Sequence, residues 1–178
     1  MYTYVTKELL DVVHATCEAL GAKVQCGKGS PLSVFGHSMG GHGALMVALK
    51  NPGMYASASA FAPVCNPASG RCPWGDKAFT RYLGSVSAGK EYDSTELAKE
   101  YAGPAIDILV DQGLSDSFYK TQLETDAFAA AATGNEKISA NVRKHEGYGH
   151  SYYFISTFMR DHIKFHGAKL KSLSMGKI

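Results

Sequence analysis

Apolar positions along the first twenty residues fall at helical spacing. Val5, Leu9, Leu10, Val12, Val13 and Leu20 recur at three- and four-residue intervals, and Gly21 follows as a stop, so residues 2 to 20 read as a helix. The pattern then shortens. Leu32 to Gly36 is an apolar run bounded by Gly29-Ser30-Pro31 and suits a buried strand, and Gly41 to Lys50 reads as a helix closed by Asn51-Pro52. Tyr55 to Val64 alternates small and apolar residues as a strand ending at Pro63. Residues 65 to 104 open with CNPASGRCPWGDKAFTRYLG, rich in Pro, Gly and single aromatics, and read as an insertion or long loop. Ala105 to Val110 is a further buried strand, Gln122 to Ala132 a helix, Ala140 to His145 a last strand and Tyr152 to Lys164 a closing helix.

This alternation predicts an α/β fold with a mostly parallel sheet and helices on both faces. In such sheets ligands gather beyond the carboxyl ends of the strands. Ser38, Asp116 and His150 each fall just past a predicted strand end.

Composition narrows the picture. A chain of 178 residues, 45% hydrophobic, supports one core and one domain over residues 1 to 178. The net charge of +2 is small, and the lysines gathered near the C-terminus, Lys164, Lys169, Lys171 and Lys177, read as a solvated end with no nucleic-acid footprint. Cys17, Cys26, Cys65 and Cys72 form no CxxC pair, which excludes a zinc ribbon or thioredoxin motif and suits reduced thiols. The first helix mixes charges into its apolar positions, so it reads as neither a signal peptide nor a membrane span. The terminal Gly176-Lys177-Ile178 is not a peroxisomal address. The cytosol is the expected location.

Candidate chemistry centres on Gly36-His37-Ser38-Met39-Gly40, a G-x-S-x-G match that means little alone but here sits between a predicted strand and a predicted helix. A sharp strand-to-helix turn exposes the serine hydroxyl, and the glycines relieve crowding around it. Gly149-His150-Ser151 repeats the tripeptide without a second glycine, so Ser151 reads as a helix cap or first-turn residue.

A serine hydroxyl needs a base, and the base an orienting acid. In the order Ser, acid, His that such a turn implies, His150 is the base and Asp116 the acid. Asp111 is the rival, less favoured because it lies on the strand rather than in the turn after it. The Met39 N–H is the expected oxyanion donor. His37, His42, His145 and His150 lack an HExxH helix, which argues against a zinc hydrolase; His37 reads as packing beside the nucleophile. Trp74 reads as an anchor of core packing, with an acyl or leaving-group pocket as the alternative. No metal or organic cofactor is required. Because the base must be neutral to accept the serine proton, activity should fall on acidification.

Taken together, FGHSMGGHGALMVALKNPGMY, SAFAPVCNP, CPWGDKAF, YDSTEL, DILVDQG and EGYGHSYYFISTFMRDHI resemble the esterase D family of α/β-hydrolases over nearly the whole chain. The resemblance implies an α/β-hydrolase fold and hydrolysis of S-formylglutathione to formate and glutathione, with activity on simple acyl esters. It places nucleophile, acid and base at Ser38, Asp116 and His150, and implies a homodimer. It also implies that Met1 falls at a point internal to the family, with the first strands of the sheet and a second oxyanion donor upstream. A general carboxylesterase or acyltransferase, and a catalytically silent binding module, are the competing expectations.

Overall fold

The computed structural model describes residues 1–22 and 30–175; Cys26, Gly29, Lys177 and the terminal tripeptide lie outside them. Strands β1 (Leu32–His37), β2 (Tyr55–Phe61), β3 (Ile106–Gly113) and β4 (Ile138–His145) form one parallel sheet in the order β1-β2-β3-β4. Among the described residues β1 and β4 are its two edges. Each crossover steps the same way across the sheet, so right-handed connections put every intervening helix on one face. Helices α2 (Met39–Lys50), α4 (Ser94–Glu100) and α5 (Thr125–Thr133) fill that face, and α6 (Tyr152–Met175), following the last strand, crosses the other.

The two faces differ in chemistry because side chains alternate along each strand. Ala58, Ala60, Ile106, Ile108, Val110 and Ile138 meet Leu45, Leu49, Phe128 and Ala132 in a hydrocarbon core. The intervening residues Ser57, Ser59 and Asp111 are also fully buried, but toward α6, where His162 and His166 bond to them. One side of the sheet is therefore sealed by apolar packing, and the other by a hydrogen-bonded network beside an aromatic cluster in which Phe61 stacks on His162 and meets Phe154.

Several expected elements shift. Residues 65 to 104 are not a loop: they contain α3 (Pro73–Leu83), a 3₁₀ turn at Ser87–Tyr92 and α4. Helix α3 starts with Pro73 at its first position and Cys72 Sγ accepting from the Gly75 N–H, while Asp93 caps α4 through the Thr95 and Glu96 N–H groups. Strand β2 stops at Phe61 rather than Val64 because Ala62 turns to φ 42° and donates its N–H to the Asp111 carbonyl. The helix expected at 122 to 132 is split, with a π-type turn at Tyr119–Leu123 ending at Glu124, which sits at φ 47°. The Glu124 carboxylate takes hydrogen bonds from Asn66, Ser69 and Arg71, which hold it there.

The closing helix runs eleven residues past Lys164 to Met175. His166 bonds Ser57 and Ser59, and Lys169 pairs with Asp107 at 2.7 Å, so this lysine is tied to the sheet rather than free in solvent. The first helix forms as α1 (Leu9–Ala19) after a π-type turn at Tyr4–Glu8, yet it buries none of its residues. Val12 is 56% exposed and Leu20 78%. Among the described residues no helix is long and apolar enough to cross a membrane.

Candidate active site

The chain leaves β1 at His37 and enters α2 at Met39, with Ser38 alone making the turn at φ 57°, ψ −118°. That conformation costs a non-glycine residue about 1–3 kcal/mol and persists only when its surroundings over-determine it. They do: the Ser38 N–H donates to the Phe61 carbonyl at 2.9 Å, and the Ser38 carbonyl accepts from His42 and Val64. A Cβ on Gly36 would lie 2.2 Å from the Gly40 carbonyl oxygen, and one on Gly41 would lie 3.0 Å from Pro63 Cβ. A Cβ on Gly40 would meet nothing within 4 Å, so the crowding expected at both motif glycines falls on Gly36 and Gly41 instead.

The three residues singled out from sequence converge here from three loops. His150 Nε2 lies 2.8 Å from Ser38 Oγ, and His150 Nδ1 lies 2.6 Å from Asp116 Oδ2. A carboxylate only accepts, so Nδ1 carries the proton and Nε2 is left to accept from the serine hydroxyl. The other Asp116 oxygen accepts from the Phe118 N–H at 2.8 Å. Met39 occupies the first position of α2, where an N–H has no partner within the helix and the helix dipole favours negative charge.

Asp111, the rival acid, is elsewhere. It is buried on β3 and accepts both arms of Arg143 at 2.6 Å together with His145 and His162. Burial pushes its pKa up, but the hydrogen bonds from His162, Arg143 and His145 outweigh that and hold the carboxyl well below the usual range. His42 is also apart from the triad, bonded to the Tyr92 carbonyl at 2.8 Å and lowered in pKa by burial. Trp74 stands edge-on to His42 and packs against the cluster of Phe61, Val64 and Leu123. Ser151 Oγ accepts from the Phe154 N–H at the start of α6, as a cap does.

The loop carrying His150 rests on the end of β3. The Ser115 N–H donates to the Tyr148 carbonyl at 3.0 Å, and a Cβ on Gly113 would come 2.3 Å from that carbonyl oxygen. Backbone must move to admit it, and a displacement near 1 Å at a reacting group costs about 100-fold. Gly113→Ala therefore lowers kcat about 100-fold while Ser38 itself stays in place, which steady-state kinetics and a structure of the variant would check.

Sequence reasoning missed His162, His166 and Phe118. The available signal was the i, i+4 spacing of the two histidines together with Ser57 and Ser59 on alternate positions of a strand. Their hydrogen bonds form one continuous chain that joins Ser33 Oγ with Ser57 Oγ, Ser57 Oγ with His166 Nδ1, His166 Nε2 with Ser59 Oγ, Ser59 Oγ with His162 Nδ1, and His162 Nε2 with Asp111. Burial first, and then His162, lower the His166 pKa to about 4. Below pH 6.5 the unfolded chain takes up a proton that folded His166 refuses until about pH 4. Stability therefore falls as pH drops across that window, by about 3 kcal/mol from this group, and its contribution is complete above pH 6.5. Urea midpoints from pH 4 to 7 should show the slope, and His166→Gln should flatten it.

Among the described residues no group of three or more His, Cys, Asp or Glu is arranged to hold a metal ion. Cys17, Cys65 and Cys72 are free thiols, the last two buried.

Comparison with known proteins follows the same architecture. The Esterase family model matches residues 1–165. S-formylglutathione hydrolase of Rattus norvegicus is 52% identical over 174 residues, covering 97% of this chain and 58% of its own length. The Arabidopsis thaliana S-formylglutathione hydrolase is 45% identical and is covered over 57% of its length. A solved S-formylglutathione hydrolase from Agrobacterium tumefaciens superimposes with a TM-score of 0.81 at 40% identity, over 96% of this chain and 57% of that one. The chain thus spans somewhat more than half the length of the relatives it matches.

Proposed function

The chain belongs to the Esterase family of α/β hydrolases, and from that premise we propose that it hydrolyses acyl thioesters through Ser38, with S-formylglutathione as substrate. The observation that carries this reading is the unbroken relay from Asp116 through His150 to Ser38 at the carboxyl ends of the strands. His150 takes the Ser38 proton as Ser38 Oγ attacks the formyl carbon, and Asp116 holds the imidazole in the required tautomer and stabilises the imidazolium. The oxyanion is met by the Met39 N–H. As the tetrahedral intermediate collapses, the C–S bond breaks, and His150 returns its proton to the departing glutathione sulfur. Water, activated by the same imidazole, then attacks the formyl-serine ester, releasing formate and restoring Ser38. Each step moves one proton between His150 and an oxygen or sulfur, so the chemistry calls for no cofactor.

The thioester substrate rests on the identity to the S-formylglutathione hydrolases of rat and Arabidopsis. Residues 1 to 178 act as a single domain in this reading. A reducing compartment, the cytosol, suits the free thiols, and a homodimer is the assembly expected from the esterase D resemblance, which native mass would test. The discriminating assay compares kcat/KM for S-formylglutathione and p-nitrophenyl acetate. Preference for the thioester is expected; the reverse order makes the chain a general carboxylesterase, and failure to turn over either substrate or to react with a fluorophosphonate at Ser38 overturns the enzymatic reading.

A further inference from the structure

His150 makes two hydrogen bonds, one to Ser38 and one to Asp116. They hold the two nitrogens near their partners but resist tilting of the ring only weakly, because a hydrogen bond tolerates a broad range of angles. Its neighbours restrict that motion. The His37 ring lies against it with centroids 4.4 Å apart and planes 41° apart, and the Phe118 ring meets it edge to face at 5.2 Å. Phe118 also holds the acid through its backbone N–H, so one residue braces two members of the relay.

His37 is an expensive way to fill that space. Its Nε2 is buried without a hydrogen-bond partner, a desolvation cost that a Leu or Phe would not incur. The groups facing it are His150 and Asp116. Burial, then His150, lower its pKa, and Asp116 raises it, so the ring stays neutral at neutral pH. A neutral ring adds no charge against the imidazolium that forms on His150 during acyl transfer, and, tilted 41° to it, it bears on the base from one side.

We propose that His37 is a positioning residue: its ring, packed against His150, keeps the imidazole from tilting off its hydrogen bonds to Ser38 Oγ and Asp116 Oδ2, with Phe118 as the second wall. What is positioned is the lone pair on Nε2. A tilted ring directs it away from the serine proton, which slows acylation without altering how substrate is held. The kinetic consequence rests on the triad mechanism proposed above; the geometric one does not.

The test compares His37→Ala, His37→Phe and Phe118→Ala with the parent chain by three readouts. These are kcat and KM for S-formylglutathione, the rate of fluorophosphonate labelling at Ser38, and the downfield proton resonance of the His150 Nδ1–H. Loss of the His37 ring should lower kcat and labelling about 10- to 100-fold with KM unchanged within about twofold, and should broaden or remove the resonance. His37→Phe should restore all three to within about threefold, and Phe118→Ala, a change on a partly exposed loop, should repeat the defect more weakly. If His37→Ala does not fold, His37→Asn removes the ring and carries the same expectation. A resonance and labelling rate unchanged in the ring-deleted variant overturn the proposal, as does a His37→Phe variant that folds but shows the full defect. A parent chain that shows the resonance but neither turns over nor labels refutes the enzymatic reading alone, and the resonance then decides the role of His37.

Discussion

Ser38→Ala lowers thioester turnover by about 10⁵- to 10⁶-fold, abolishes fluorophosphonate labelling and leaves the fold unchanged. The loss is this large because the nucleophile is the member of the relay with no substitute. On the proposed mechanism, residual rate comes from binding and from the Met39 N–H, the proposed oxyanion donor. The fold survives because what fixes the turn is backbone. The Ser38 N–H still reaches the Phe61 carbonyl, and its own carbonyl still accepts from His42 and Val64. Alanine retains the Cβ, so the cost of φ 57° is neither relieved nor increased. A urea midpoint within about 1 kcal/mol of the parent is expected. A variant with appreciable turnover would place the nucleophile elsewhere.

The second large effect separates two buried aspartates five residues apart. Asp116→Asn lowers kcat about 10⁴-fold with little change in stability. An amide that donates to His150 Nδ1 forces the ring proton onto Nε2, where it faces the Ser38 hydroxyl as a donor when an acceptor is required. Asp111→Asn does the opposite. It removes the charge that takes both arms of Arg143 and hydrogen bonds from two histidines, and it leaves a cation short of its partner in a site from which water is largely excluded. The destabilisation is about 3 kcal/mol, at the low end for a broken buried pair because Arg143 is 28% exposed and also holds Asp161. Turnover per folded molecule should stay within about tenfold of the parent. Paired urea titrations and kcat measurements on the two variants check both halves, and interchanged results would make Asp111 the acid.

Much of the site was legible in the sequence because its signals are local. A glycine two residues before Ser38 is needed where a Cβ would strike the next turn, and an apolar strand followed by a helix announces the geometry. The strand positions followed from runs of β-branched and small residues, and the order of strands and helices was enough to predict a parallel sheet covered on both faces. What was not legible depends on partners distant along the chain. Helix α3 begins behind a cysteine cap, outside the usual set of capping residues, and α4 is only seven residues long. The break at Glu124 is held by three donors from residues 66 to 71. The exposed apolar side of α1 shows the converse: periodicity predicts that a helix forms, but not that its apolar face is covered.

The unlike faces of the sheet set different rules for sequence change. On the α2 side, where Leu45, Ile108 and Phe128 interlock, a substitution is judged by volume, so exchanges of similar size should be absorbed with graded losses. On the α6 side the rule is parity. Each hydroxyl and imidazole from Ser57 to His162 is hydrogen-bonded on both sides, and deleting a single link such as Ser59 strands a ring nitrogen on both His162 and His166. Drift along that network must therefore proceed by paired replacements, with donors and acceptors lost together, whereas the apolar face can change one residue at a time.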